Sequence, residues 1–279
     1  MGVATLTGAD QVSAEPDDGE EHRIITVLSP KGGSGKTTVA TNLAVALASR
    51  YPRQVVLADL DLQFGDVANV LRLSPVTTIA DIARKWPIDS ANLKLGLTAH
   101  QSGVYTLCAP NSPAEADDVH ADHVGGILHA LQAGFRFVVV DTDPGLSERV
   151  LSALDVCSDI VMVCSTEIPS IRGLSKALDA LDVVGLTGAK RHFLLNRADA
   201  KVGIDSDEIE RTIGIEVDVR VPSSIEMVRA TNGGIPMMES RSNDNIVKAF
   251  EHLAGFFDPA ATASSPSSGG AKKLFKRKG

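Results

Sequence analysis

Val39, Leu43 and Leu47 recur on every fourth position of one stretch, with Ala40 and Ala44 beside them. That spacing lines one face of an α-helix. A second stripe runs through Val124, Ile127, Leu128 and Leu131, and a third through Ile171, Leu174, Leu178 and Leu181. All three are expected to face the core. Around them lie short runs rich in β-branched residues, at 24–28, 54–58, 105–108, 135–140, 159–164, 192–195 and 217–221. The run FRFVVVD is apolar without alternation, as a strand covered on both faces should be. Strands alternating with helices predict an α/β fold, a mostly parallel sheet with helices on both faces. Ligands of such sheets sit at the carboxyl ends of the strands.

The pattern fades at both ends. Residues 1–22 are acidic and poor in large apolar groups, so they cannot bury enough surface to fold alone, and order is expected from Arg23. Residues 259–270 (PAATASSPSSGG) have the composition of a flexible linker. The expected organisation is a disordered acidic arm over 1–22, one folded domain over 23–258, and a linker with a basic tail over 259–279. No apolar run approaches the roughly 20 residues that span a bilayer. The N-terminus has neither the basic start nor the apolar centre of a secretory signal. Cys108, Cys157 and Cys164 are odd in number and lack metal-ligand spacing, and so read as buried thiols in a reducing compartment. The expected location is the cytoplasm.

Chemistry enters at SPKGGSGKTTVATNLA, residues 29–44, between the first strand and the first stripe. A glycine-rich turn between a strand and a helix is the setting of a phosphate loop. Gly32, Gly33 and Gly35 permit a tight turn and close backbone approach, and with Ser34 they offer amide hydrogens to phosphate oxygens at a helix N-terminus. Lys36 should reach the β- and γ-phosphates, Thr37 should coordinate Mg²⁺ and Thr38 should donate to the α-phosphate. The implied cofactors are ATP and Mg²⁺, and the fold narrows to a P-loop NTPase. Two carboxylates, Asp59 and Asp61, end the next strand, where they can hold water around Mg²⁺. Asp141 closes the run FRFVVVD and should bind Mg²⁺ through water.

The loop departs from GxxxxGK[ST]. Pro30 stands where the first glycine belongs, and a second lysine, Lys31, precedes the double glycine. In this KGGxGK[ST][ST] form the chain resembles the partitioning-ATPase superfamily that includes ParA and MinD. The resemblance implies that Lys31 crosses to the phosphates of a partner subunit, so that ATP joins two copies face to face. It implies a catalytic set of Lys31, Lys36 and Asp61, with Asp61 positioning the attacking water and Asp59 supporting the metal shell beside Thr37 and Asp141. It also implies that Asn196 and Arg197 contact the base and that Pro222 packs against adenine. Guanine is not excluded by the residues, although the NKxD base-reading motif is unmatched. Where the superfamily usually has proline, this chain has Asp143, either a solvated loop residue or an extra carboxylate near the metal.

Longer stretches narrow the resemblance. DLDLQFGDVANVL (59–71), TIADIA (78–83), STEIPSIRGLSKALDAL (165–181), LLNRADAKVGI (194–204) and VPSSIEMVRATNGGIPM (221–237) together resemble the CpaE/TadZ branch, the MinD-like ATPases of type IV Tad (Flp) pilus assembly. Many members carry a receiver domain before the ATPase, and residues 1–22 are too few to form one. The resemblance implies a slow, partner-regulated ATPase that dimerises with ATP and positions a pilus or related secretion apparatus, peripheral to the inner membrane or at a cell pole.

Charge bears on the partners. The net charge is −8, yet residues 271–278 hold five basic groups and no acid, leaving 22 basic against 35 acidic groups, −13, on the remainder. An acidic body is poorly suited to broad DNA binding, so specific nucleic acid is not an expected partner. The tail Lys272–Lys278 either makes weak contact with an anionic membrane or is simply solvated. Two alternatives remain open, a ParA-type DNA-partitioning ATPase and a metabolic ATP-dependent enzyme on a related fold. The three cysteines do not suit an iron–sulfur reductase.

Overall fold

The computed structural model describes residues 21–199, 206–240 and 244–259. Most of the acidic arm and the whole basic tail lie outside the described residues. Eight strands form one sheet: β1 (Arg23–Leu28), β2 (Val55–Leu60), β3 (Thr98–Ala99), β4 (Val104–Leu107), β5 (Phe137–Thr142), β6 (Asp159–Ser165), β7 (Lys190–Asn196) and β8 (Val219–Val221). Their order is β3-β4-β2-β5-β1-β6-β7-β8. β3 pairs with β4 antiparallel and the other pairs are parallel. The helices are α1 (Lys36–Arg50), α2 (Val67–Val70), α3 (Ile79–Ala83), α4 (Ser90–Leu95), α5 (Ala121–Gln132), α6 (Glu148–Val156), α7 (Ile168–Val183), α8 (Ser206–Ile213), α9 (Ile225–Gly233) and α10 (Asn245–Gly255). None of them is long and apolar enough to cross a membrane.

The lack of alternation in the strands follows from their covering. Ile25, Val27, Phe137, Val139 and Val161 pack with α1 and α10 on one face. Ile24, Val56, Val138 and Val140 pack under α3 and α5 on the other. Leu28, Ile160, Met162 and Phe193 meet α6 and α7 beside them. Each fully buried aliphatic side chain contributes about 1.5–3 kcal/mol, so adjacent strand residues hold helices to opposite faces. The three helical stripes are the buried faces of α1, α5 and α7.

All seven strand runs are present, with shifted ends. β2 runs on to Leu60 and β5 to Thr142, which sets Asp59 and Asp141 inside strands, in register with each other. β3 has two residues and no β-branched run, so periodicity does not reveal it. Cys108 and Cys164 are buried, but Cys157 is only partly so. His22, placed by its composition in the arm, belongs to the described fold: its Nδ1 lies 2.6 Å from the Gln132 carbonyl, and the Gln132 amide donates to the His22 carbonyl.

The end of the sheet away from the loop is tied by charge. His192 Nε2 lies 3.0 Å from Asp159 Oδ1, and Arg23 donates to Asp159 Oδ2 at 3.1 Å. Burial alone would raise the Asp159 carboxyl, but His192, Ser158 and Arg23 outweigh it and hold it below the usual range. His192 stacks on Phe256 just after α10, and Asp258 accepts from Arg50 and Tyr51 at the end of α1.

Candidate functional site

The loop 29–35 rises from β1 at the carboxyl end of the sheet and turns into α1. Gly33 and Gly35 have φ of 77° and 94°, values that L side chains rarely adopt. A Cβ on Gly35 would also collide with Asn196 Nδ2. Gly35 is the N-cap of α1, and no side chain caps that turn. The dipole and amides of a helix of about four turns therefore aim into the loop. Lys36 is 6% exposed and Ser34 is buried, whereas Lys31 lies on the surface. Gly32 and Gly33 are exposed, and Thr37 and Thr38 are half-buried. The two lysines of the loop thus point to different environments.

Asp59 and Asp141 stand side by side under the loop. Asp59 accepts from the Asp61 and Val67 backbone amides at 3.1 and 3.3 Å. Burial, then the facing Asp141, raises its carboxyl well above the usual range. Asp141 is fully buried, and neither of its carboxylate oxygens has a hydrogen-bond partner. Burial pushes it up to about 7. The Thr37 hydroxyl and Lys36 ammonium temper that rise from nearby without closing a bond of proper geometry. Two adjacent buried carboxylates, one without partners, call for a cation or a proton. Among the described residues no three His, Cys, Asp or Glu side chains form a metal cluster by themselves. That suits an oxygen-ligated cation whose shell is completed by a hydroxyl, water and phosphate.

This arrangement makes an ionised Asp141 costly in the protein without nucleotide. Asp141→Asn is expected to stabilise the nucleotide-free protein at pH 8 by about 1–3 kcal/mol. The folded carboxyl titrates about 7, against roughly 3.9 when unfolded. The penalty for its ionised form is complete above the folded value and fades as pH falls from there toward the unfolded one. The gain in the variant should fade likewise. Denaturation midpoints at pH 8 and pH 5 measure it; an equal gain at both would mean that Asp141 does not titrate between them.

Asp61 lies just past β2, half-buried, with Oδ1 accepting from Phe64 N at 3.3 Å. Asp143 is half-buried rather than fully solvated. It accepts from Ser147 Oγ at 3.2 Å, and burial, with Asp61 adding to it, raises its carboxyl. The next residues brace the loop, Pro144 lying against Gly32 and Gly145 N donating to Ser29 O.

Asn196, Arg197 and Pro222 come together at an open cleft of about 610 Å³ beside Gly35 and Thr38. The Asn196 amide donates to Ser34 O at 2.8 Å, while its oxygen accepts from Arg197 N. Asn196 thus ties β7 to the loop, with one amide hydrogen left for a ligand. Arg197 has a φ of 56°. Ile225, Met227 and Thr231 of α9 form the opposite wall. Sequence reasoning assigned no role to these three. The available signal was Ser224 as an N-cap before an amphipathic stretch, and Ser224 Oγ does accept from Glu226 N and Met227 N.

The CobQ/CobB/MinD/ParA nucleotide binding domain family matches residues 25–101. The septum site-determining protein MinD of Thermotoga maritima is 28% identical over 240 residues, 83% of this chain and 86% of the relative. Among solved structures, MinD of Pyrococcus horikoshii, complexed with Mg-ADP, superposes with a TM-score of 0.76 at 25% identity, covering 88% of this chain and 99% of that one. A ParA family ATPase from Chlorobium tepidum gives 0.77 at 23% identity over 83% and 98%. These similarities extend to ParA and MinD alike and do not single out the CpaE/TadZ branch. The sheet and its phosphate loop are those of the P-loop NTPase fold of MinD and ParA, and the chain is similar to MinD over most of its length.

Proposed function

We propose that this chain is an ATP-dependent switch: an ATPase that dimerises around ATP, binds its partners as a dimer, and is reset by slow hydrolysis. The observation that carries this reading is the divergence of the two loop lysines. Lys36 is buried inside the cradle, where it serves one nucleotide, and Lys31 is exposed outside it, where a second copy can reach it. Mg²⁺ fits the donor set because Asp141 is buried without hydrogen-bond partners. Thr37 would ligate it, and Asp59 and Asp141 would hold its waters. The metal would neutralise phosphate charge. Asp61 would position water near the γ-phosphate, and Lys36 would stabilise the charge that develops there. Asn196, Arg197 and Pro222 would border the adenine.

The finer reading is a CpaE/TadZ-like role, positioning a Tad/Flp pilus or related secretion apparatus at the cytoplasmic side of the inner membrane or at a pole. LQFGD (62–66) and NRADAKVG (196–203) support it. Five cations near an anionic leaflet would add about 1 kcal/mol each, so a dimer with two tails would hold a membrane better than a monomer. A fluorescent fusion, wild type beside Lys36→Ala, tests the role. Polar or envelope foci that disperse in the variant are expected. Signal over the nucleoid would favour DNA partitioning, and diffuse signal in both would favour a metabolic enzyme.

A further inference from the structure

The two residues at which the loop departs from the ordinary pattern both rest on α7. A Cβ on Gly173 would come within 3.1 Å of Pro30 Cγ, so glycine permits this close approach. One residue on, Lys31 Nζ lies 3.3 Å from Glu167 Oε2. Glu167 is the N-cap of α7, but its carboxylate makes no capping bond; it reaches back to the loop instead. Its carbonyl receives the Ser170 and Ile171 amides, which fixes the residue from which the side chain extends. The two side chains are 45% and 55% exposed. The pair therefore stands on the outer side of the loop, facing away from the buried Lys36. Ile168, the next residue, is also exposed.

We infer that Glu167 is a positioning residue that holds Lys31 in cis until the phosphates of a second copy's nucleotide compete for it. The inference rests on the cross-subunit role proposed above for Lys31. One carboxylate carries a single charge, and a triphosphate with its γ-group carries several. In the low dielectric of a closed interface the phosphates win the exchange. In the open monomer the carboxylate keeps the ammonium, at the modest strength of an exposed pair. Glu167 thus raises the concentration at which two copies join. Sequence spacing conceals this pair, because its members lie 136 residues apart.

The test uses the full chain with Mg²⁺ and a non-hydrolysable ATP analogue, reading mass against protein concentration by light scattering. Glu167→Gln keeps the shape and removes the charge. Its dimer should be tighter than wild type by about 1.5- to 5-fold for each subunit released, and by about the square of that for the pair. The gain should fade as salt rises above about 0.3 M. A merely structural role would shift the melting temperature, measured in parallel, without producing this salt dependence. A Glu167→Gln dimer of unchanged or weaker affinity, beside a wild type that does dimerise, overturns the inference alone. A wild type that stays monomeric with the analogue overturns the dimer reading beneath it.

Discussion

Lys36→Ala should lower ATP turnover by about a thousandfold and weaken ATP binding by at least about tenfold. Lys36 opens α1, is 6% exposed, and shares its surroundings with Asp141, whose carboxyl its charge lowers. Charge-assisted bonds contribute about 1.5–3 kcal/mol each to binding. A donor aimed at charge developing in the transition state adds about 3–4 kcal/mol. The buried setting strengthens both effects, and no other lysine of the loop can substitute, because Lys31 lies outside on Glu167. Calorimetric titration with ATP and a phosphate-release assay would measure the two losses. Unchanged turnover would show that the phosphates bind somewhere else.

Asp61→Ala should separate binding from hydrolysis. Turnover is expected to fall by about a hundredfold or more, with ATP affinity within about threefold of wild type and dimers that persist longer. The reason lies in the division of labour between two neighbouring carboxylates. Asp59 is buried, and both its oxygens receive backbone amides, so it shapes the segment 59–67. A Cβ on Gly65 would strike both Asp59 Oδ2 and the Asp61 carbonyl, which shows how tightly that segment is wound. Asp61 lies beyond the strand end and is half-buried. The only hydrogen bond its carboxylate makes among the described residues is through Oδ1, which accepts from Phe64 N, so Oδ2 is available to water. A normal hydrolysis rate in Asp61→Ala would remove it from the reaction.

The parts of the molecule legible from sequence are those written in local order. The strand runs and three helical stripes carry their own periodicity, and the phosphate loop is contiguous. Contacts between distant segments are not legible in this way. Asn196 meets Ser34 across 162 positions, and only the assembled sheet shows that its amide secures the loop. The pairing of Asp59 with Asp141 depends on the register of β2 against β5, which no spacing predicts. β3 is too short to leave a pattern. α9 buries none of its residues, so its apolar positions could not be read as a core stripe, yet they wall the cleft. The residues around Asp143 fit two environments equally, and its half-buried place beside the loop depends on how Pro144 and Gly145 pack there.

The most direct test of the switch is the mass of the chain in solution, by light scattering, without nucleotide, with Mg-ADP and with Mg-ATP. Wild type and Lys31→Ala would be measured together. The prediction is 29.3 kDa in the first two conditions and twice that mass with Mg-ATP, for wild type alone. A mass that ignores the nucleotide, or a Lys31→Ala chain that dimerises as wild type does, would contradict it.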